Sequence, residues 1–250
     1  MVSLSELENY CNRLLAAETF DDYCPNGLQV DGGADEVRCL VAGVTASQAL
    51  VDAAVEAGAD LLLVHHGYFW KGEPGPLTGI KGRRVRTLMQ NGIGLMAYHL
   101  PLDAHADFGN NRQLAEKLGF EGAAPVDEGG LLWSVELEHG IDAGSLGARI
   151  EKVLERKPLH LEGGAESIRR VGWCTGGAQG YIEKAAAAGM DAFISGEVSE
   201  QTAHLARELG IHYFSAGHHA TERYGVQVLG EHLARKFDLE YRFIEVSNPV

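Results

Sequence analysis

The stretch Asp60-Leu61-Leu62-Leu63-Val64-His65-His66-Gly67 decides how this chain folds. Four apolar residues in a row, bounded by a turn and a glycine, read as a strand buried on both faces, as in a parallel sheet. Upstream, residues 37–44 read as another strand and residues 47–57 as a helix, with Gly58 suited to a left-handed C-cap. Strand, helix and strand make a βαβ unit with an expected right-handed crossover. Ligands of open α/β sheets collect beyond the carboxyl ends of the strands, and His65-His66 stand at such an end.

Composition narrows the class. The 250 residues suffice for two compact domains or one large one. Apolar runs of only four or five residues fall far short of the roughly 20 that span a bilayer, so no membrane partner is expected. The first 15 residues mix charge and apolar residues at helical spacing, without the basic head and apolar core of a secretory signal; a cytoplasmic protein is expected. Cys11, Cys24, Cys39 and Cys174 are scattered, with no Cys-x-x-Cys pair, and read as buried free thiols. With 21 basic against 35 acidic residues the net charge is -14, which repels a phosphate backbone and disfavours duplex nucleic acid. The basic run Lys81, Arg83, Arg84 and Arg86 could meet an anion, but reads better as the solvated face of a helix.

Residues 3–18 carry Leu4, Leu7, Cys11 and Leu14 at helical spacing, with Ser3 and Glu6 forming a capping pair. Asp21 to Asp31, built round Pro25-Asn26-Gly27, reads as a structural hairpin. The chain also resembles itself. A shift of 131 lays Ala54-Val-Glu-Ala-Gly58-Ala-Asp60 on Ala185-Ala-Ala-Ala-Gly189-Met-Asp191 and brings His65-His66 opposite Gly196-Glu197. A shift of 119 lays His99-x-x-x-Asp103 on His218-x-x-x-Glu222. The expectation is two related α/β domains with largely parallel sheets, their strand C-terminal ends facing a shared metal cleft. Residues 1–125 with 232–250 form the first and 126–231 the second. In the second half, residues 131–137 read as a strand and residues 143–154 as a helix closed by Pro158; residues 239–246 read as a strand returning to the first sheet.

Metal ligation needs lone pairs brought to one point, which neutral imidazole and carboxylate supply. His65, His66, His99, Asp103, His218 and Glu222 offer them at three expected strand ends. Six donors exceed the need of one tetrahedral ion, so a pair of divalent metals about 3.5–4 Å apart is expected, with Glu222 as the longer-armed bridge. Donors without thiolate fit zinc, manganese, iron or nickel alike. Such a centre makes a hydroxide nucleophile, and hydrolysis follows as the reaction class. Glu197 and His204 are candidates for carrying protons or fixing imidazole tautomers. Tyr68, Phe69 and Trp70 could stack a flat ring or seal the core, while Lys71 and Arg223 could contact an anion or make surface ion pairs.

Four ordered motifs then suggest a family: Pro25-Asn-Gly-Leu-Gln-Val30, Val64-His-His-Gly67, His99-Leu-Pro-Leu-Asp103-Ala-His105 with Gly109-Asn110-Asn111, and Gly217-His-His-Ala-Thr-Glu222-Arg223-Tyr-Gly225. Together they resemble the Nif-three-like family, whose members are often labelled type 2 GTP cyclohydrolase I homologues, and are most similar to its short bacterial YbgI-like branch. The resemblance implies two α/β domains, a dinuclear metal site and a ring-shaped homohexamer. It places metal ligands on His65, His66, Asp103, His218 and Glu222; His99 is kept beside them because of the internal repeat. The functional expectation is a hydrolase of a nucleotide or small heterocycle acting through metal-bound hydroxide, with Glu222, His99 and Glu197 as candidate catalytic groups. The rivals are a non-catalytic metal-binding scaffold in a ring-shaped oligomer that meets proteins or nucleic acid, and a metal chaperone.

Overall fold

The computed structural model describes residues 2–250. The chain begins with β1 (Val2–Ser3), α1 (Leu4–Leu14), β2 (Gly27–Val30), β3 (Glu36–Val37), β4 (Cys39–Thr45), α2 (Gln48–Glu56), β5 (Leu61–His66), α3 (Gly79–Gln90), β6 (Gly94–Ala97) and α4 (Leu100–Ala104). It continues through α5 (Asn110–Leu118), β7 (Ala124–Pro125), β8 (Trp133–Ile141), α6 (Ala143–Leu154), β9 (Leu159–Leu161) and β10 (Ile168–Trp173). α7 (Ile182–Ala187), β11 (Ala192–Ser195), α8 (Glu200–Leu209), β12 (His212–Ser215), α9 (His218–Phe237) and β13 (Glu240–Phe243) complete it. Among the described residues no helix is long and apolar enough to cross a membrane.

Two compact units result. The first runs to Leu102 and resumes over Gly225–Ser247; the second covers Asp103–Tyr224 and Asn248–Val250. The divisions thus fall inside α4 and α9 instead of after residues 125 and 231. Residues 121–127, at the boundary expected after residue 125, hold β7, which pairs with β8 inside the second unit.

The first unit is built on a five-stranded sheet of order β13-β4-β5-β6-β2. All its pairs are parallel except β2 with β6, and β13 returns to the edge of β4 as expected. Leu61 to Val64 are fully buried, as a central strand covered on both faces requires. The crossover helix α2 starts on Ser47, whose hydroxyl accepts from Leu50 N at 3.3 Å, and is followed by Gly58 at φ +67°. Gly58 can take that left-handed turn because it has no Cβ to clash.

The second unit carries a six-stranded sheet of order β7-β8-β10-β11-β12-β9. Here only β10–β11 and β11–β12 run parallel, so this sheet is mixed instead of largely parallel. β8 runs antiparallel to both β7 and β10, and β9 closes the opposite edge antiparallel to β12. Trp133, Trp173 and Phe214 belong to one buried cluster, and Phe193 and Tyr213 to another. α6 spans the expected residues, but Glu155 in the left-handed conformation ends it, three residues before Pro158.

The repeat seen in the sequence is repeated in the hydrogen bonds. Val41 pairs with Leu62 in the first sheet, and Gly172 with Phe193 in the second, each 131 residues on. The Asp60 carboxylate accepts from Arg38 N and Cys39 N at 2.8 and 2.9 Å; Asp191 accepts from Arg169 N and Arg170 N, both at 2.8 Å. One device pins the start of both strand pairs. The following strand shifts by 118, since Leu62 faces Leu95 where Phe193 faces Tyr213. His218 therefore lies one residue beyond the position that strand register makes equivalent to His99, and Gly217 at φ +103° takes up the extra step.

Candidate metal centre

In the first unit three imidazoles gather where β5 and β6 end. His65, His66 and His99 each offer a ring nitrogen, and these atoms lie within 4.8 Å of one another. Neighbours on a strand ordinarily face opposite sides. Here His65 and His66 close β5, and their ring centroids stand 4.5 Å apart. Gly67 lets the chain turn tightly behind them, for a Cβ there would stand 2.1 Å from Gln29 Oε1.

Each ring is held by a partner of its own. Nδ1 of buried His65 donates to Tyr98 O at 2.9 Å, which fixes the tautomer whose lone pair is on Nε2. Thr45 Oγ1 lies 3.1 Å from His66 Nδ1. His99 Nδ1 donates to Asp22 Oδ1 at 2.7 Å, and His99 N donates to Asn26 Oδ1 at 2.8 Å. Asp22 Oδ2 also receives Leu100 N at the head of α4 and Asn26 Nδ2, both at 2.9 Å. Burial works to raise the Asp22 carboxyl, but the hydrogen bonds from His99 and Asn26 outweigh it and hold it near about 2. The Pro25-Asn26-Gly27 turn is thus not a hairpin: β2 pairs with β6, and the loop before it orients His99. Trp70 closes one side, its ring centroid 4.9 Å from that of His99 in an edge contact. Tyr68 seals the core, with its hydroxyl donating to Ala46 O.

The second unit brings carboxylates. On α9 the spacing of four residues puts His218 Nε2 3.0 Å from Glu222 Oε2. Glu197, just past β11, accepts from His218 Nδ1 at 2.7 Å. Burial opposes a charge on His218, while Glu222 and then Glu197 favour it and raise the imidazole to about 9. Asp103, buried on α4, receives Asn110 Nδ2 at 2.8 Å and Thr175 Oγ1 at 3.4 Å on one oxygen. A donor oxygen of Asp103 and one of Glu222 fall within 4.8 Å. Gly176 leaves the space these groups use: at φ +66°, it would place a Cβ 1.8 Å from Glu222 Oε1 and 3.2 Å from His218 Nε2.

Several other sequence candidates take structural roles. His204 pairs with Glu200 one turn away on an exposed face of α8. His105 accepts from Asp107 N and Phe108 N and closes its own turn. Lys71 pairs with exposed Asp21, Arg223 lies over the Tyr224 ring, and Lys81 donates to Pro74 O and pairs with Glu73. Asp22, Asn26, Thr45 and Asn110 are the positioning residues that spacing did not single out.

The donor set of each unit suits a divalent metal. Three imidazoles, one of them buried and tautomer-fixed, and two buried carboxylates beside a fourth imidazole are nitrogen and oxygen ligands for zinc-class, manganese, iron or nickel ions. Hydrogen-bonded partners behind the ligands are the usual companions of such ligands.

The pattern of the family described as Duf34/NIF3 (NGG1p interacting factor 3) matches residues 2–249. A Pseudomonas aeruginosa protein named GTP cyclohydrolase 1 type 2 homolog is 53% identical over 251 aligned residues, covering 99% of each chain. A solved structure titled protein ybgI, of unknown function, superposes with a TM-score of 0.95 at 49% identity over all of both chains. A Thermus thermophilus structure does so with a TM-score of 0.88 at 35% identity, again over both whole chains. This chain belongs to the Duf34/NIF3 family.

Proposed function

We propose that the chain is a dinuclear-metal-dependent hydrolase acting on a nucleotide or other small heterocycle, in the manner of a GTP cyclohydrolase. The observation that carries this reading is the surplus of buried or half-buried donors, His65, His66, His99, Asp103, His218 and Glu222, the first five oriented by Tyr98 O, Thr45, Asp22, Asn110 and Glu197 in turn. In this reading both sets serve one metal pair. The relative named GTP cyclohydrolase 1 type 2 homolog supports the reaction class.

A bound pair of divalent ions supplies Lewis acidity and an acidified water. The residues of the chain supply the rest. Glu222, with the longer arm, would be the residue to hold both ions. Glu197 holds the proton on His218 Nδ1 and keeps Nε2 as the ligating atom. His99, backed by Asp22, binds or passes a proton to a departing ring nitrogen, and Trp70 screens it from water. The test compares GTP consumption and ring opening by the metal-loaded protein and by Glu222→Ala. The wild type is expected to turn over and the variant to be at least about 100-fold slower, since a first ligand matters more than the roughly 10–100-fold of an orienting partner. Equal rates would remove the assignment. Bound metal with no turnover across a nucleotide and cyclic-amide panel would favour the scaffold.

A further inference from the structure

Behind His99, on its Nδ1 side, lie two donors that the proposed dinuclear centre does not use, Asp22 and Cys24. Asp22, Cys24 and His99 offer a carboxylate oxygen, a sulfur and a ring nitrogen, all within 4.8 Å of one another. Asp22 and Cys24 also line a cavity of about 440 Å³, together with Glu18, Asn26 and Lys71. We propose that Asp22, Cys24 and His99 form a second, thiolate-containing site, sharing His99 with the first, for a thiophilic divalent cation such as zinc, entered from this cavity.

One sulfur, one nitrogen and one oxygen are three of the four ligands of a tetrahedral zinc site, and the cavity admits a water as the fourth. Thiolate selects against hard cations such as magnesium or calcium. Occupancy rearranges protons in a defined way. The ion displaces the Cys24 thiol proton to water, and the His99 proton moves from Nδ1 to Nε2, so the Nδ1 lone pair turns to the metal. Asp22 exchanges its role as acceptor from Nδ1–H for coordination. One proton is released per ion, and His99 Nε2 becomes a donor, which withdraws it as a ligand from the set with His65 and His66. Cys24 is a thiol until then, because burial, with the Asp22 charge beside it, pushes it up to about 12. Ion binding at this site and His99 ligation at the other are therefore mutually exclusive.

The six donors assigned to the dinuclear centre include no sulfur, so a sulfur signal reports on this site whatever becomes of the hydrolase reading. The metal-free full-length protein is titrated with Co²⁺ and followed in the near ultraviolet for thiolate-to-cobalt charge transfer. The band is expected in the wild type and in Cys39→Ser, and is expected to vanish in Cys24→Ser. Should Cys24→Ser fail to fold, X-ray absorption of the zinc-loaded wild type is expected to show a sulfur neighbour at about 2.3 Å. A wild type with neither band nor sulfur neighbour would overturn the proposal, as would a band that survives Cys24→Ser.

Discussion

At the carboxyl end of β5 the chain delivers His65 and His66; at the same point of the second unit, past β11, it delivers Gly196 and Glu197. The strands leading there share their register and their aspartate-pinned starts. Their first strands diverge in the same way. Thr45 places a hydroxyl on His66, whereas its counterpart Gly176 has no side chain and leaves room for Glu222. One scaffold has thus been used twice with opposite choices: the first unit turns its strand-end side chains into donors, and the second clears its strand end for donors from α9. Glu197, opposite His66, has become the partner that orients His218.

The largest way to break this comparison is to fill the cleared position. Gly176→Val puts a branched side chain where Glu222 Oε1 already lies 1.8 Å from a Cβ, at a left-handed φ of +66°. Isothermal titration should show loss of tight metal binding, with a stability loss of about 1–3 kcal/mol from backbone strain. Thr45→Gly, the reciprocal change, removes one orienting contact and should lower metal affinity less than Gly176→Val does. Equal effects would mean the two strand ends are not differently used.

Next in size, Asp22→Asn and Glu197→Gln remove the carboxylates behind His99 and His218, and each should weaken metal binding roughly 10–100-fold while the fold persists. That only Glu197 was legible in the sequence has a physical reason. Glu197 falls opposite a histidine in the repeat, so alignment reveals it. Asp22 meets His99 across 77 positions through a loop with no periodicity, and no local pattern joins them. The buried strand, its terminal histidines and the His218–Glu222 turn could be read because each depends on neighbours in sequence. The mixed second sheet and the divisions inside α4 and α9 depend on pairings between distant segments, and spacing does not encode those.

The smallest effect is on pH dependence. In the metal-free protein burial opposes the His218 charge, but Glu222 and Glu197 raise it from 6.5 to about 9. A group with a raised folded-state pKa stabilises the fold fully below its unfolded value and loses that contribution as pH rises through the folded one. The Tm of the metal-free protein should therefore fall between about pH 6.5 and 9, a decline that His218→Gln should flatten. Bound metal should flatten it too, because the ion takes the place of the proton.

The most direct measurement is anomalous diffraction from crystals grown with a divalent metal. Two peaks about 3.5–4 Å apart are predicted, contacted by imidazoles from His65 and His66 and by the Glu222 carboxylate together. Separate ions on the histidine set and on the His218–Glu222 set, or metal on one set alone, would contradict the shared centre.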